Sequence, residues 1–161
     1  MNMTRRNFVA ALGALFAVYR GASAAGPQEP GKVEKLKLSD EEWKKRLAPE
    51  QYAVLRHEST ERPGSSPLNG EHRKGTFACA GCDLALFTSD AKFESGTGWP
   101  SFFTFIPGHL ETKTDYKLIL PRVEYHCARC EGHQGHVFDD GPKPTGKRYC
   151  NNGVALKFVP A

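Results

Sequence analysis

Five cysteines carry most of the chemistry open to this chain, and four of them form two matched pairs. Cys79-Ala80-Gly81-Cys82 and Cys127-Ala128-Arg129-Cys130 are C-x-x-C knuckles, each able to present two thiolates from one tight turn. Zinc takes four ligands in a tetrahedron, so two knuckles on neighbouring hairpins would close a four-thiolate Zn2+ site. Gly81 is expected to supply a left-handed backbone position within its knuckle. Structural disulfides are the rival reading if the chain is exported, because oxidising compartments favour them, and a redox-active knuckle is a third. Asp83 and Glu131, rather than His, follow the knuckles, which excludes haem attachment. The gap between the knuckles exceeds the ~15–20 residues of a compact zinc ribbon, so much of the domain lies between them. A metal there would close a long loop and add folding free energy.

Cys150 stands alone in Arg148-Tyr149-Cys150-Asn151-Asn152. On an extended strand Arg148, Cys150 and Asn152 alternate onto one face, which would gather a guanidinium, a thiol and a carboxamide. The plainer reading is a small buried hydrophobe, the usual fate of a lone cysteine. His133-Gln134-Gly135-His136-Val137-Phe138 adds two imidazoles able to exchange protons near neutral pH, with Gly135 leaving room for a close approach. Either histidine could instead be a hydrogen-bonded structural residue. Trp99 sits between Gly98 and Pro100, and its flanking glycines suggest a binding lip rather than core.

The elements that must hold these groups are short. Ser39-Asp40-Glu41-Glu42 fits a capping box and predicts a helix over about 40–47; Pro49 opens a second at about 49–56. Residues 57–74, rich in Pro, Gly, Ser and Asn, read as a wrapping loop. Short β-branched or aromatic runs at 76–78, 84–88, 101–105, 116–120, 123–126, 136–138 and 154–159 predict a mainly β domain of antiparallel strands. The 161 residues allow one domain on a prior of ~100–200 residues each, placed here at 39–161. Residues 25–38 read as a solvated linker. Before it, Thr4-Arg5-Arg6-Asn7-Phe8, an apolar run from Val9 to Val18 and Ala22-Ser23-Ala24 read as a signal peptide over 1–24; the apolar stretch is about half the ~20 residues of a membrane span, so an uncleaved anchor is the weaker reading. The paired arginines fit twin-arginine export to the periplasm, with ordinary secretion as the alternative. Arg5, Arg6 and Arg20 account for most of the +4 charge, leaving 19 basic against 18 acidic side chains and no electrostatic case for nucleic acid.

Across about residues 40–159 the chain resembles the B-type methionine-R-sulfoxide reductases. The resemblance rests on Pro49-Glu50-Gln51-Tyr52, Thr60-Glu61-Arg62-Pro63, the two knuckles, Lys92-Phe93-Glu94-Ser95-Gly96-Thr97-Gly98-Trp99-Pro100-Ser101-Phe102, His133-x-Gly135-His136-Val137-Phe138, Asp140-Gly141-Pro142, Pro144-Thr145-Gly146 and Arg148-Tyr149-Cys150-x-Asn152. It implies two antiparallel β-sheets with short N-terminal helices and a structural zinc on Cys79, Cys82, Cys127 and Cys130. It also implies that Cys150 attacks the sulfoxide sulfur and becomes a sulfenic acid. His136 or His133 would protonate the oxygen, and Asn152 and Arg148 would hold thiolate and oxygen. Trp99, with Phe138, would bind the substrate, the indole packing on its methyl group. Oxidised proteins are the implied substrates, and a monomer is expected.

Two departures bear on the cycle. Where some members carry a resolving cysteine this chain has Thr97, so an external thiol, such as a thioredoxin-like protein, is expected to reduce Cys150. Asn151 and Gly153 differ from the commoner Ile-Asn-Ser run, and Gly153 is expected to loosen the strand. The rival classes are a zinc-stapled secreted binding module without turnover, a zinc-ribbon nucleic-acid binder and a thiol oxidoreductase acting through its knuckles.

Overall fold

Ser39 caps the first helix as its sequence predicts: its hydroxyl accepts from Glu42 N at 3.3 Å while Glu42 Oε2 accepts from Ser39 N at 2.8 Å. In this computed structural model, which describes residues 33–161, helix α1 spans Asp40–Arg46 and α2 spans Pro49–His57. Pro49 occupies the first turn of α2, where its missing N–H costs nothing. The signal segment at 1–24 and the linker up to residue 32 lie outside the described residues. The last part of that linker is not free in solvent. Val33, Leu36 and Leu38 pack on the core, and Leu36 N donates to Arg129 O at 2.7 Å. These apolar residues recur among lysines and glutamates, and the charged residues hid the docking stripe.

Among the described residues, nine strands make two antiparallel sheets. The first pairs β1 (Gly75–Cys79) between β2 (Ala85–Thr88) and β9 (Leu156–Pro160). The second runs in the order β3 (Lys92–Phe93), β4 (Ser101–Phe102), β8 (Arg148–Asn151), β7 (His133–Phe138), β6 (Arg122–Cys127) and β5 (Leu110–Asp115). Phe77, Phe87, Phe102 and Tyr125, all fully buried, link the sheets, with Phe87 and Phe102 stacked at 4.0 Å. Their burial supplies much of the hydrophobic stabilisation of so small a domain.

The predicted strand at 116–120 is absent. Leu118-Ile119-Leu120 lies in an exposed loop, and the strand is its neighbour β5, Leu-Glu-Thr-Lys-Thr-Asp, whose four central residues face solvent. β5 is the sheet edge, where charged residues discourage pairing with other chains, so it carries no apolar signature. An unbroken apolar run without alternation is a poor strand signal at such an edge.

Candidate active site

The four knuckle thiols meet. The Sγ atoms of Cys79, Cys82, Cys127 and Cys130 lie within 4.8 Å of one another, all in buried residues. The Cys79–Cys130 and Cys82–Cys127 separations are 3.6 and 3.5 Å, far from the ~2.05 Å of a disulfide. They match instead the edge of about 3.8 Å that a tetrahedron with ~2.3 Å zinc–sulfur bonds would have. The left-handed positions belong to the residues after each knuckle, Asp83 at φ 65° and Glu131 at φ 58°, and not to Gly81. Their amides turn back to Cys79 O and Cys127 O at 2.9 Å. Arg46 Nε, Arg56 Nη1 and Arg129 Nη1 donate to Gly81 O, Cys130 O and Cys82 O at 2.7, 2.8 and 3.2 Å. Hydrogen bonding among the thiols pushes Cys79 up and Cys82 down. Packed together, the thiols share protons among themselves, whereas four thiolates need a cation, and the surrounding guanidinium groups suit the net negative charge of such a metal cluster. The donor set therefore fits a metal ion.

Cys150 lies elsewhere, on the central strand β8, paired with Ser101 of β4 on one side and His136 of β7 on the other. Directly opposed residues place their Cβ atoms about 4.5–5.5 Å apart, so thiol and imidazole are neighbours by register. Gly135 makes this possible: a Cβ there would lie 1.8 Å from Cys150 O. The room left by this glycine is filled by the β8 backbone. The half-buried Cys150 reaches a cavity of about 120 Å³ shared with His136, Trp99, Phe138 and Asn152. That is below the ~300–1,000 Å³ of pockets for drug-sized ligands, so the cavity takes the end of a side chain.

Trp99 is held over this cavity by Nε1 donating to Glu61 O at 3.1 Å. Gly98 precedes it at φ 88°, and a Cβ there would press on Pro63 and Gly64 at 2.9 Å. Asn152 lines the same cavity but its amide is largely engaged: Oδ1 accepts from Glu61 N and Nδ2 donates to Gln134 O, both at 3.0 Å, which leaves one N–H. Glu61 also accepts from Gly153 N and Val154 N through its carboxylate. Gly153 is thus locked, with Ser66 Oγ 1.9 Å from where a Cβ would stand, and does not loosen the strand. Asn151 is fully buried; its Oδ1 accepts from Tyr125 Oη at 2.8 Å, joining the aromatic core to the turn after Cys150.

Arg148 makes a two-pronged pair with Asp140 at 2.8 Å and lies 4.4 Å from the Phe138 ring centre. Burial pushes the Cys150 thiol up, and the Arg148 charge offsets only part of this. Burial also holds His136 below the usual histidine range, although Asp115 Oδ2 lies 2.8 Å from its Nε2. Asp115 is kept well below the usual carboxylate range by Lys117 N–H, His136 and Arg122. An ionised carboxylate can only accept, so Nε2 carries the imidazole proton and Nδ1 is a bare acceptor. His133 does not line the Cys150 cavity. It is buried behind His136, with ring centres 5.5 Å apart and Nδ1 2.9 Å from Glu124 Oε1. Residues three apart come together because a bulge opposite Tyr125 and His126 shifts the register of β7. Asp115, Arg122 and Glu61 are site-organising residues that sequence reasoning missed; Glu61 stood only within a matched stretch, and the other two carried no local signal.

A β domain with a metal-competent thiol cluster and a separate thiol beside an imidazole in a narrow cavity has the build of a cysteine-containing oxidoreductase. Residues 47–160 match the SelR domain family. The peptide methionine sulfoxide reductase MsrB of Methanosarcina barkeri is 55% identical over 124 residues, covering 76% of this chain and 87% of the relative. That of Bradyrhizobium diazoefficiens is 52% identical over 128 residues, covering 79% and 92%. The chloroplastic peptide methionine sulfoxide reductase B1 of Arabidopsis thaliana is 49% identical over 144 residues, covering 86% and 71%. The chain belongs to the methionine sulfoxide reductase B family and is an oxidoreductase.

Proposed function

We propose that this protein reduces methionine-R-sulfoxide in proteins and that Cys150 is its reacting thiol. The observation that carries the reading is the cross-strand pair Cys150–His136 on the floor of a cavity edged by Trp99 and Phe138. The resting thiol holds its proton and His136 is neutral. His136 Nδ1 takes that proton as the Cys150 sulfur attacks the sulfoxide sulfur, then returns it to the oxygen as the S–O bond polarises. The oxygen ends on Cys150 as a sulfenic acid and methionine leaves: two electrons pass from Cys150 to the substrate sulfur, with no net proton uptake. Trp99 packs on the methyl group, so only one sulfur configuration turns its oxygen toward the imidazole. Arg148 and the remaining Asn152 N–H favour the developing charges.

The other four cysteines sit in the metal-competent cluster, so the sulfenic acid is reduced from outside. A thiol of a thioredoxin-like protein attacks the Cys150 sulfur with loss of water, and a second thiol releases Cys150 from the mixed disulfide. Zinc is the proposed occupant of the cluster, where it supplies positive charge and ties the two knuckles together. The proposed organisation is a signal at 1–24 for twin-arginine export, a linker at 25–38 whose last residues dock on the core, and the reductase at 39–161, acting in the periplasm as a monomer. Among the described residues, no helix is long and apolar enough to cross a membrane.

The test is turnover of methionine-R-sulfoxide and methionine-S-sulfoxide peptides with dithiothreitol, by wild type and Cys150→Ser, with zinc measured on both. R-specific turnover, lost in Cys150→Ser while zinc stays, is expected. Turnover surviving in Cys150→Ser contradicts the assignment.

A further inference from the structure

Tyr116, Leu118, Ile119 and Leu120, on the loop between β5 and β6, are 77%, 58%, 102% and 75% exposed. A run of consecutive aliphatic residues held in water is a defect unless it serves a purpose. Nor is this loop an idle excursion. Lys117 N donates to Asp115 Oδ1 at 2.9 Å, and Lys117 Nζ pairs with Glu58 at 2.5 Å. At the other stem Arg122 donates to Asp115 Oδ2 at 2.7 Å and lines the Cys150 cavity. Both stems therefore close on the carboxylate that accepts from His136. Ile119 is four residues from Asp115, at most about 14 Å of extended chain.

The cavity of about 120 Å³ admits the end of one side chain, so the residues on either side of an oxidised methionine must lie on its rim. Methionine is mostly found among apolar neighbours, and a polypeptide loosened enough to expose its sulfoxide exposes those neighbours too. We infer that loop 116–121 is a docking surface for apolar residues flanking the sulfoxide in an unfolded polypeptide. The inference rests on the reading of Cys150 as the sulfoxide-reducing thiol. A lipid surface fits less well: Lys113 and Lys117 are paired with Glu58 and Glu124, which leaves little cationic attraction for anionic headgroups. A second copy fits less well again, since six residues fall short of the roughly 800 Å² per partner of a stable interface.

The experiment compares the full chain with its Ile119→Ser/Leu120→Ser double variant on three substrates: N-acetyl-methionine-R-sulfoxide, a sulfoxide peptide with Leu and Val flanks, and one with Ser and Asn flanks. The variant is expected to lose about tenfold in kcat/KM on the apolar peptide, through KM, and to stay within about twofold on the other two. Equal loss on all three makes the loop a prop for Asp115 and overturns the docking, as does no loss on any. Sedimentation of wild type, but not the variant, with phosphatidylglycerol vesicles overturns it in favour of a membrane; a wild-type dimer that the variant dissolves overturns it in favour of self-association. Failure of wild type on every substrate defeats instead the sulfoxide-reductase reading, and the docking with it.

Discussion

The four clustered cysteines and Cys150 have the same side chain in two different settings. In the cluster each thiol faces three others, helices α1 and α2 bring Arg46 and Arg56 onto the knuckle carbonyls, and every cysteine is buried. At Cys150 there is one thiol, an imidazole across the strand, a guanidinium on the same strand and a cavity open to a side chain. Crowding suits the first region to hold a metal ion. Isolation beside a proton acceptor suits the second to the proposed role of a nucleophile that keeps its proton until a substrate needs it. The partners, rather than the thiol, assign the role.

Exchanging the two regions' failures tests that division. Cys130→Ser removes a ligand and should lower stability by on the order of 5 kcal/mol or more, with loss of bound metal, since binding energy at such a site is folding energy. Cys150→Ser should leave denaturation and metal content unchanged. Next in size, His136→Asn should lower kcat/KM by about 10²–10⁴-fold without loss of metal, as removal of an acid–base partner does. Asn151→Val, which strands the buried Tyr125 hydroxyl, should cost about 1–3 kcal/mol in urea unfolding. The smallest effect is electrostatic. The Cys150 pKa is raised, so its iodoacetamide alkylation should reach half its plateau above the ~8.5 of an ordinary thiol. Arg148→Gln removes the charge that lowers it and should move the midpoint higher still; a plateau already reached below pH 8 would contradict the burial argument.

Cysteine spacing made the cluster legible, because paired C-x-x-C knuckles state its donors in the chain itself. Ser39 with Glu42 and Pro49 likewise announced both helices through local hydrogen bonding. What stayed hidden depends on distant partners. Asp115 and Arg122 look like ordinary strand-end charges until the β5–β6 hairpin pairs them and β7 brings His136 against Asp115, and Glu61 becomes a strap only when the Trp99 loop and the turn at Gly153 fold onto it. The spacing of His133 and His136 suggested a shared role, but the register shift opposite Tyr125 and His126 decides how the rings meet. The apolar run at 118–120 pointed to a strand because hydrophobicity alone does not distinguish burial from display.

The central claim is tested most directly by trapping the oxidised intermediate. The enzyme is mixed with one equivalent of a methionine-R-sulfoxide peptide, without reductant, in the presence of dimedone, and its cysteine peptides are then mapped by mass spectrometry. One methionine formed and a single adduct on Cys150, with Cys79, Cys82, Cys127 and Cys130 unmodified, is the predicted result. An adduct on a knuckle cysteine, or an internal disulfide between Cys150 and one of the four, would contradict it.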